Sequence, residues 1–164
     1  MELTYELVAK RIDHSLLGPT LTDAELEAGC RLAADYEVAT VCIKPAGVKL
    51  AASILNFTSV KVGTTVGFPH GAHTTEVKVY EAHRAIDDGA VELDMVVNIG
   101  KVLGDDWAYV EREIREVVEV AHRRQALVKI IFENSYLKED QIVRLCEICG
   151  DAKVDYMKTS TGYA

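Results

Sequence analysis

The amino-acid sequence predicts an α/β protein built on a parallel sheet, either a doubly wound sheet or a (β/α)8 barrel. The first observation is a series of short apolar segments rich in the β-branched residues that suit buried parallel strands. The second is that segments with helical spacing of apolar residues lie between them. The third is size, because 164 residues with 49% hydrophobic and 27% charged content can bury a substantial core. Since the two kinds of segment alternate throughout, right-handed crossovers are expected.

The apolar segments are predicted to form six strands. They span residues 11–14, 38–43, 60–66, 91–97, 127–132 and 154–157. No linker, low-complexity run or internal repeat interrupts the alternation, so residues 1–164 are expected to form a single domain.

The intervening segments are predicted to be amphipathic helices. Thr22 and Glu25 make a capping box that starts the first of them, and Gly89 is the expected C-cap of the third. Each helix turns one set of residues inward. These sets are Leu26, Gly29, Cys30 and Ala33; Val48, Ala51, Ala52 and Leu55; Val79, Ala82, His83 and Ile86; and Val110, Ile114, Val117, Val118 and Ala121.

The charge balance argues against large anionic partners. Eighteen Lys and Arg against 26 Asp and Glu give a net charge of -8, a poor match to nucleic acid or to an anionic membrane surface. The chain has no run of roughly 18 apolar residues, and its first residues lack the apolar core of a secretory signal. We therefore expect a cytoplasmic protein in which any phosphate group would have to be held locally.

The cysteines are expected to be reduced thiols that serve as small core residues. Cys146 and Cys149 form a C-x-x-C, but they share one helical face with Ile142 and Leu145, which favours packing over redox chemistry. A structural zinc site would need four ligands, and the sequence has no second C-x-x-C.

Neither a metal nor a dinucleotide cofactor is expected. His70 and His73 flank a glycine in a predicted loop, but no third ligand lies near them in the sequence. Gly67, Gly71 and Gly100 follow predicted strands without making the G-x-G-x-x-G pattern of a dinucleotide site.

Lys158 is the strongest candidate for a catalytic residue. On a strand of period 2 it shares a face with Val154 and Tyr156, which would carry its ammonium into a partly apolar site. Desolvation lowers the pKa of a lysine and frees the amine as a nucleophile, as Schiff-base chemistry requires. The small residues Thr159, Ser160 and Gly162 follow it. The alternative interpretation is a lysine that points into water at a strand end.

Two other predicted strands carry charge where buried parallel strands are normally apolar. Asp94 shares a face with Glu92, and Lys129 lies on the next strand. Because an unpaired buried ion costs several kcal/mol, we expect Asp94, Lys129 and Lys158 to form one cluster, with Glu92 as a structural partner. Asp94 would then move protons to and from a carbinolamine or an enamine. An ordinary buried ion pair between Asp94 and Lys129 is the alternative. Cys42, at another strand exit, would pack in the core or face a ligand.

Five segments resemble the deoxyribose-phosphate aldolase family of class I, Schiff-base aldolases. They are IDHSLL (12–17), VCIKP (41–45), VGFPHG (66–71), GAVELDMVVNIG (89–100) and DYMKTSTGY (155–163). They lie in the family's order and span nearly the whole chain. The resemblance implies a (β/α)8 TIM barrel, in which the present sequence supplies about six of the eight β/α units.

The resemblance also implies roles for particular residues. Lys158 would form the imine with acetaldehyde, Asp94 would assist proton transfer through bound water, and Lys129 would be an electrostatic neighbour. Cys42 would line the pocket. Gly162, with Thr159 and Ser160 beside it, would offer its backbone N–H to the substrate phosphate. No metal or organic cofactor is implied.

The implied reaction is the reversible cleavage of 2-deoxy-D-ribose 5-phosphate to D-glyceraldehyde 3-phosphate and acetaldehyde. The family continues beyond the matched segments with a seventh strand that bears a second catalytic lysine and an eighth that binds phosphate. A form that stops at Ala164 would have open sheet edges, so we expect it to form homo-oligomers and to turn over little substrate. The alternatives are a non-catalytic relative that acts as a binding or scaffold protein, and a different Schiff-base lyase of phosphorylated sugars.

Overall fold

A computed structural model, which describes residues 3–164, contains one parallel sheet with helices between its strands. The strands are β1 (Asp13–Leu16), β2 (Thr40–Ile43), β3 (Lys61–Val66), β4 (Glu92–Val96), β5 (Leu127–Ile131) and β6 (Tyr156–Lys158). The helices are α1 (Tyr5–Ala9), α2 (Asp23–Asp35), α3 (Val48–Leu55), α4 (Thr75–Asp87), α5 (Ile99–Leu103), α6 (Trp107–Arg123) and α7 (Glu139–Asp151). Short 3-10 turns occupy Pro45–Gly47 and Asn134–Tyr136.

The strand order decides between the two architectures that the sequence allows. The sheet runs β1-β2-β3-β4-β5-β6, with every neighbouring pair parallel. A doubly wound sheet reverses direction at a switch point, whereas a barrel adds each new strand to the same side. The sequential order is therefore that of a barrel, and the α/β prediction is confirmed.

A contact across the sheet shows that it is curled. Lys129 on β5 places its Nζ 2.6 Å from Asp13 Oδ2 on β1. In a flat sheet these strands would lie four spacings apart, about 19 Å, which is more than the two side chains can bridge. The six strands thus form part of a barrel with its concave face inside.

The two faces of the curled sheet differ in chemistry. The convex face carries Val41, Ile43, Leu93, Met95 and Ile130, which pack with the helices into one apolar core. The concave face carries polar and charged side chains at alternating positions, as the pleat of period 2 requires. These include Thr40, Cys42, Glu92, Asp94, Lys129 and Lys158.

Four helices end in the same way, and two of these endings explain why β2 and β6 begin two residues later than predicted. The N–H of Val38, Ala90, Ala126 and Val154 each bonds to the carbonyl five residues earlier. The residue before each has positive φ: Glu37, Gly89, Gln125 and Lys153. Because these donors close a helix in a Schellman motif, the valines expected to open β2 and β6 do not enter the sheet. The predicted C-cap role of Gly89 is confirmed.

The first strand also begins later than predicted. Residues 11 and 12 direct their N–H groups to the carbonyls of Val8 and Ala9, in the turn that ends α1. The ladder therefore starts at Asp13, opposite Thr40. The short helices α1 and α5 were not predicted, since five residues are too few to show a helical period.

The predicted helical faces are found in the structure, with one error. Thr22 and Glu25 form the expected capping box, and the inward residues of α6 are buried. His83, predicted to face inward on α4, is exposed, while Lys78 and Ala85 are buried. The buried lysine has an ion-pair partner on α6, which lets a charged residue take an inward position. No helix in residues 3–164 is long and apolar enough to cross a membrane.

Candidate active site

The concave face brings Lys158 and Asp94 into direct contact. Lys158 Nζ donates to Asp94 Oδ2 at 2.6 Å, although the two residues come from β6 and β4 with β5 between them. The Asp94 side chain is 1% exposed and the Lys158 side chain 33% exposed. A charge-assisted hydrogen bond of this length joins an inner carboxylate to an ammonium that solvent can reach.

Lys129 is surrounded by carboxylates. Its Nζ lies 2.6 Å from Asp13 Oδ2, 2.6 Å from Glu92 Oε2 and 3.7 Å from Asp94 Oδ1. Burial alone would lower the pKa of Lys129, but the carboxylates of Asp94, Asp13 and Glu92 outweigh burial and raise it. Lys129 therefore keeps its proton at neutral pH and cannot serve as the nucleophile. Of the two lysines in the cluster, this leaves Lys158 for covalent chemistry.

Asp13 is the site residue that the sequence argument did not single out. The strand that contains Asp13 was predicted. However, the alternation of side chains along a strand does not show that the sheet curls until β1 faces β5. Glu92 has the structural role expected of it, because it also accepts a hydrogen bond from Thr40 Oγ1 at 3.1 Å.

An open cavity of about 420 Å³ borders this cluster. The residues that line it are Lys10, Arg11, Asp13, Ala39, Thr40, Glu92, Lys129, Tyr156, Met157, Lys158 and Thr159.

Cys42 lies behind the cluster rather than on the cavity wall. The residue is buried, and its Sγ is 3.8 Å from Asp94 Oδ2. Burial, with the Asp94 carboxylate beside it, raises the pKa of Cys42 to about 12. The side chain is thus a neutral thiol at physiological pH that packs against the Asp94 carboxylate.

We expect Cys42 and Cys149 to resist alkylation in the folded protein. Burial raises the pKa of Cys149 to about 12 as well, so neither residue supplies appreciable thiolate at pH 8. Cys146 is only half-buried and should be labelled by iodoacetamide at least about tenfold faster. Peptide mapping after timed labelling measures this, with denatured protein as the control. Equal rates for Cys42 and Cys146 in the native state would contradict it.

The loop after β6 contains the residues expected to hold phosphate. Thr159 lines the cavity, and its carbonyl accepts from Asn134 N–H at 2.9 Å. Gly162 has φ +81°, and its N–H donates to Ser160 Oγ at 2.9 Å. Both Thr159 and Gly162 are exposed, whereas Ser160 is half-buried.

The buried carboxylate of Glu133 anchors the loop after β6 through hydrogen bonds. Glu133 Oε2 accepts from Thr161 N–H at 3.1 Å and also from the Thr161 hydroxyl. Glu133 itself has φ 58° and ψ 64°, a left-handed conformation that is costly for a residue with a side chain. Glu133 is a second site residue that the sequence analysis did not single out.

Glu133→Ala is expected to lower the free energy of unfolding by about 1–3 kcal/mol, because it leaves the N–H and hydroxyl of Thr161 without an acceptor. Glu133→Gln keeps an acceptor oxygen and should lose less. Urea unfolding measures both, with Glu147→Ala in an exposed ion pair of α7 as the matched control. Full stability of Glu133→Ala would rule out this role for the carboxylate.

The C-x-x-C motif lies on a helix, and the two histidines lie in a loop. Cys149 is buried and Cys146 half-buried on the inward face of α7, where they pack with Leu145. His70 and His73 are exposed in the loop after β3. Among residues 3–164, no three His, Cys, Asp or Glu side chains are grouped to hold a metal ion.

Comparison with known proteins shows that the sequence is similar to those of aldolases. The sequence pattern of the DeoC/LacD family aldolases matches residues 7–164. The deoxyribose-phosphate aldolase of Rhodopirellula baltica is 56% identical over 159 residues, which are 97% of this chain and 66% of that protein. The enzyme of the same name from Thermococcus gammatolerans is 47% identical over 158 residues, 95% of this chain and 70% of that protein.

A solved structure gives the same result for the fold. The tetrameric deoxyribose phosphate aldolase from Aeropyrum pernix matches with a TM-score of 0.90 at 32% identity, over 98% of this chain and 67% of that one. The chain therefore spans about two thirds of the length of these proteins.

Proposed function

Because the chain belongs to the DeoC/LacD family of aldolases, we propose that it cleaves 2-deoxy-D-ribose 5-phosphate reversibly to D-glyceraldehyde 3-phosphate and acetaldehyde. The observation that carries the proposal is the 2.6 Å contact of Lys158 Nζ with the buried Asp94 carboxylate at the wall of a cavity. A lysine nucleophile needs a base beside it and room for a carbonyl substrate, and this arrangement supplies both.

Asp94 first takes the ammonium proton of Lys158. The neutral amine then adds to C1 of the open-chain aldehyde to give a carbinolamine, and Asp94 returns its proton to the carbinolamine hydroxyl, which leaves as water to give an iminium. Asp94 then accepts the proton of the C3 hydroxyl as the C2–C3 bond breaks. The electron pair of that bond forms an enamine on Lys158, and glyceraldehyde 3-phosphate leaves. Asp94 gives the proton back at C2 of the enamine, and addition of water to the resulting iminium releases acetaldehyde and restores Lys158.

Lys129 supplies a fixed positive charge for this sequence. It lies between the carboxylates of Asp94 and Glu92 and offsets their mutual repulsion. The loop after β6 holds the substrate phosphate, with the backbone N–H of Gly162 and the hydroxyls of Thr159 and Ser160 as donors. A phosphate oxygen displaces Ser160 Oγ from the Gly162 N–H, since an anion is the stronger acceptor.

A coupled assay tests the substrate. Acetaldehyde released from 2-deoxyribose 5-phosphate is reduced by alcohol dehydrogenase, and the loss of NADH absorbance reports turnover. A panel of other phosphorylated ketoses and aldoses, followed through their own triose or aldehyde products, separates this activity from that of a different Schiff-base lyase. Binding of the substrate to folded protein without turnover would instead favour a non-catalytic relative.

We further propose that the protein forms homo-oligomers in the cytoplasm. The similar enzyme from Aeropyrum pernix is described as tetrameric. Sedimentation velocity at several protein concentrations tests the assembly, and a concentration-independent monomer would contradict it. The free cysteines within residues 3–164 agree with a reducing compartment, which cell fractionation tests.

A further inference from the structure

An ion pair outside the active site is completely buried. Lys78 on α4 and Glu113 on α6 both have 0% side-chain exposure, and Lys78 Nζ lies 2.7 Å from Glu113 Oε2. The reaction sequence proposed above uses neither residue. Burial lowers the pKa of Lys78 and raises the pKa of Glu113, which shows how costly the two charges are in this position.

The remaining polar atoms of the pair bind the backbone at the exit of β4. Lys78 Nζ donates to the Val96 carbonyl at 2.8 Å, and Glu113 Oε1 accepts from Asn98 N–H at 2.7 Å. These backbone groups lie two and four residues after Asp94. The pair therefore ties two helices on the convex side to the strand end that carries the catalytic carboxylate.

The loop after β3, residues 67–71, packs against Lys78 of the same ion pair. Gly67 has φ +66°, and a Cβ there would lie 2.8 Å from Lys78 Cε, so the loop backbone sits directly on the lysine side chain. Gly67 N–H donates to Glu81 Oε2 at 2.7 Å. At Gly71, with φ +65°, a Cβ would come within 1.8 Å of the Val97 carbonyl oxygen. Loop 67–71 is thus packed against Lys78 and against Val96 and Val97.

Loop 67–71 also contacts the loop that follows β6, the strand that carries Lys158. The ring of Phe68 meets the ring of Tyr163 edge to face, with centroids 5.4 Å apart. Tyr163 follows Gly162 and donates from its hydroxyl to the Leu17 carbonyl at 2.9 Å. A chain of contacts therefore runs from the buried pair through loop 67–71 to the loop that follows Lys158.

A buried ion pair is a weak source of stability, because an apolar pair of similar volume is often as stable or more so. Its directional bonds, in contrast, restrict the backbone to one arrangement. We propose that Lys78 and Glu113 are positioning residues that act through the exit of β4 and loop 67–71 to hold Asp94 and the β6 loop in the geometry for cleavage. This inference rests on the proposed aldolase function and adds two residues to it that do not touch the substrate.

Replacing both charges together tests the inference. Lys78→Met/Glu113→Leu is compared with Glu111→Ala/Arg115→Ala, which removes an exposed pair from the same α6 helix. We expect the buried double variant to lose some thermal stability, because the Asn98 N–H and the Val96 carbonyl lose their partners, but to stay folded at the assay temperature. There kcat should fall between about 10- and 100-fold, with a smaller change in KM. The surface control should match the parent in thermal midpoint and in kcat. A folded double variant with unchanged kcat would overturn the proposal.

Amide hydrogen exchange gives a readout that does not need turnover. In the double variant, the amides of Gly67, Phe68, His70, Gly71 and Asn98 should exchange at least about tenfold faster, while those of β2 stay protected. Uniformly faster exchange would mean that the pair only stabilises the fold. If the double variant fails to fold, the isosteric Glu113→Gln replaces it with the same local expectation. A parent without turnover would count against the aldolase function, and the exchange pattern would still decide the positioning role.

Discussion

Lys158→Ala is expected to abolish aldol cleavage, with a loss on the order of 10⁴-fold or more, while the protein stays folded. The amine is the only group in the proposed sequence that forms a covalent bond with substrate, so no neighbour can replace it. The fold should tolerate the change, because the Lys158 side chain is one-third exposed and Asp94 keeps Lys129 at 3.7 Å. Lys61→Ala, which removes an exposed lysine at the start of β3, is the matched control and should retain full activity.

Borohydride reduction in the presence of acetaldehyde locates the nucleophile directly. Reduction of the imine fixes a two-carbon group on the reacting lysine, and peptide mapping identifies that residue. We expect the adduct on Lys158 in the parent and in Lys61→Ala, and no adduct at this peptide in Lys158→Ala. An adduct on Lys44 or Lys129, together with an active Lys158→Ala variant, would disprove the mechanism.

Asp94→Asn should lower kcat by on the order of 10²–10⁴-fold, the contribution typical of a positioned acid–base group. The amide has the shape of the carboxylate but cannot take the proton of Lys158. Lys129 keeps its contacts with Asp13 and Glu92, so the cluster retains a counter-charge and the fold should persist.

Glu92→Gln is the control for this experiment. It also removes one carboxylate from Lys129, but Glu92 makes no contact with Lys158. We expect a loss of about tenfold or less, and a thermal midpoint close to that of Asp94→Asn. If Asp94→Asn turns over at the parent rate, Asp94 is only the partner in a buried ion pair, the alternative that the sequence also allowed.

The charge of the cluster fits iminium chemistry. Three carboxylates, from Asp13, Glu92 and Asp94, face the two ammonium groups of Lys129 and Lys158. In the proposed reaction the Lys158 proton passes to Asp94, so the net charge of the cluster does not change. The iminium then takes the place of the ammonium, and the carboxylates would stabilise this cation, which withdraws electrons from the C2–C3 bond.

Local patterns were sufficient for much of the site. Period-2 alternation places Glu92 and Asp94 on one face of β4, and an unpaired buried charge is costly enough to require a partner. These two facts predicted that Asp94, Lys129 and Lys158 meet, and the structure brings them together. The strand starts were less accurate, because Val38 and Val154 look like strand residues in sequence but close the preceding helices.

By itself, the sequence determined the six strands, the helices long enough to show a period, and the face on which each catalytic candidate lies. Only the tertiary structure decided that Asp13 meets Lys129, 116 residues away, and that Lys78 pairs with Glu113 inside the helical layer. The physical reason is that side-chain periodicity specifies a face within one element. The curl of the sheet and the packing of one helix on another depend on the sum of many contacts between distant residues, and those alone bring such pairs within bonding distance.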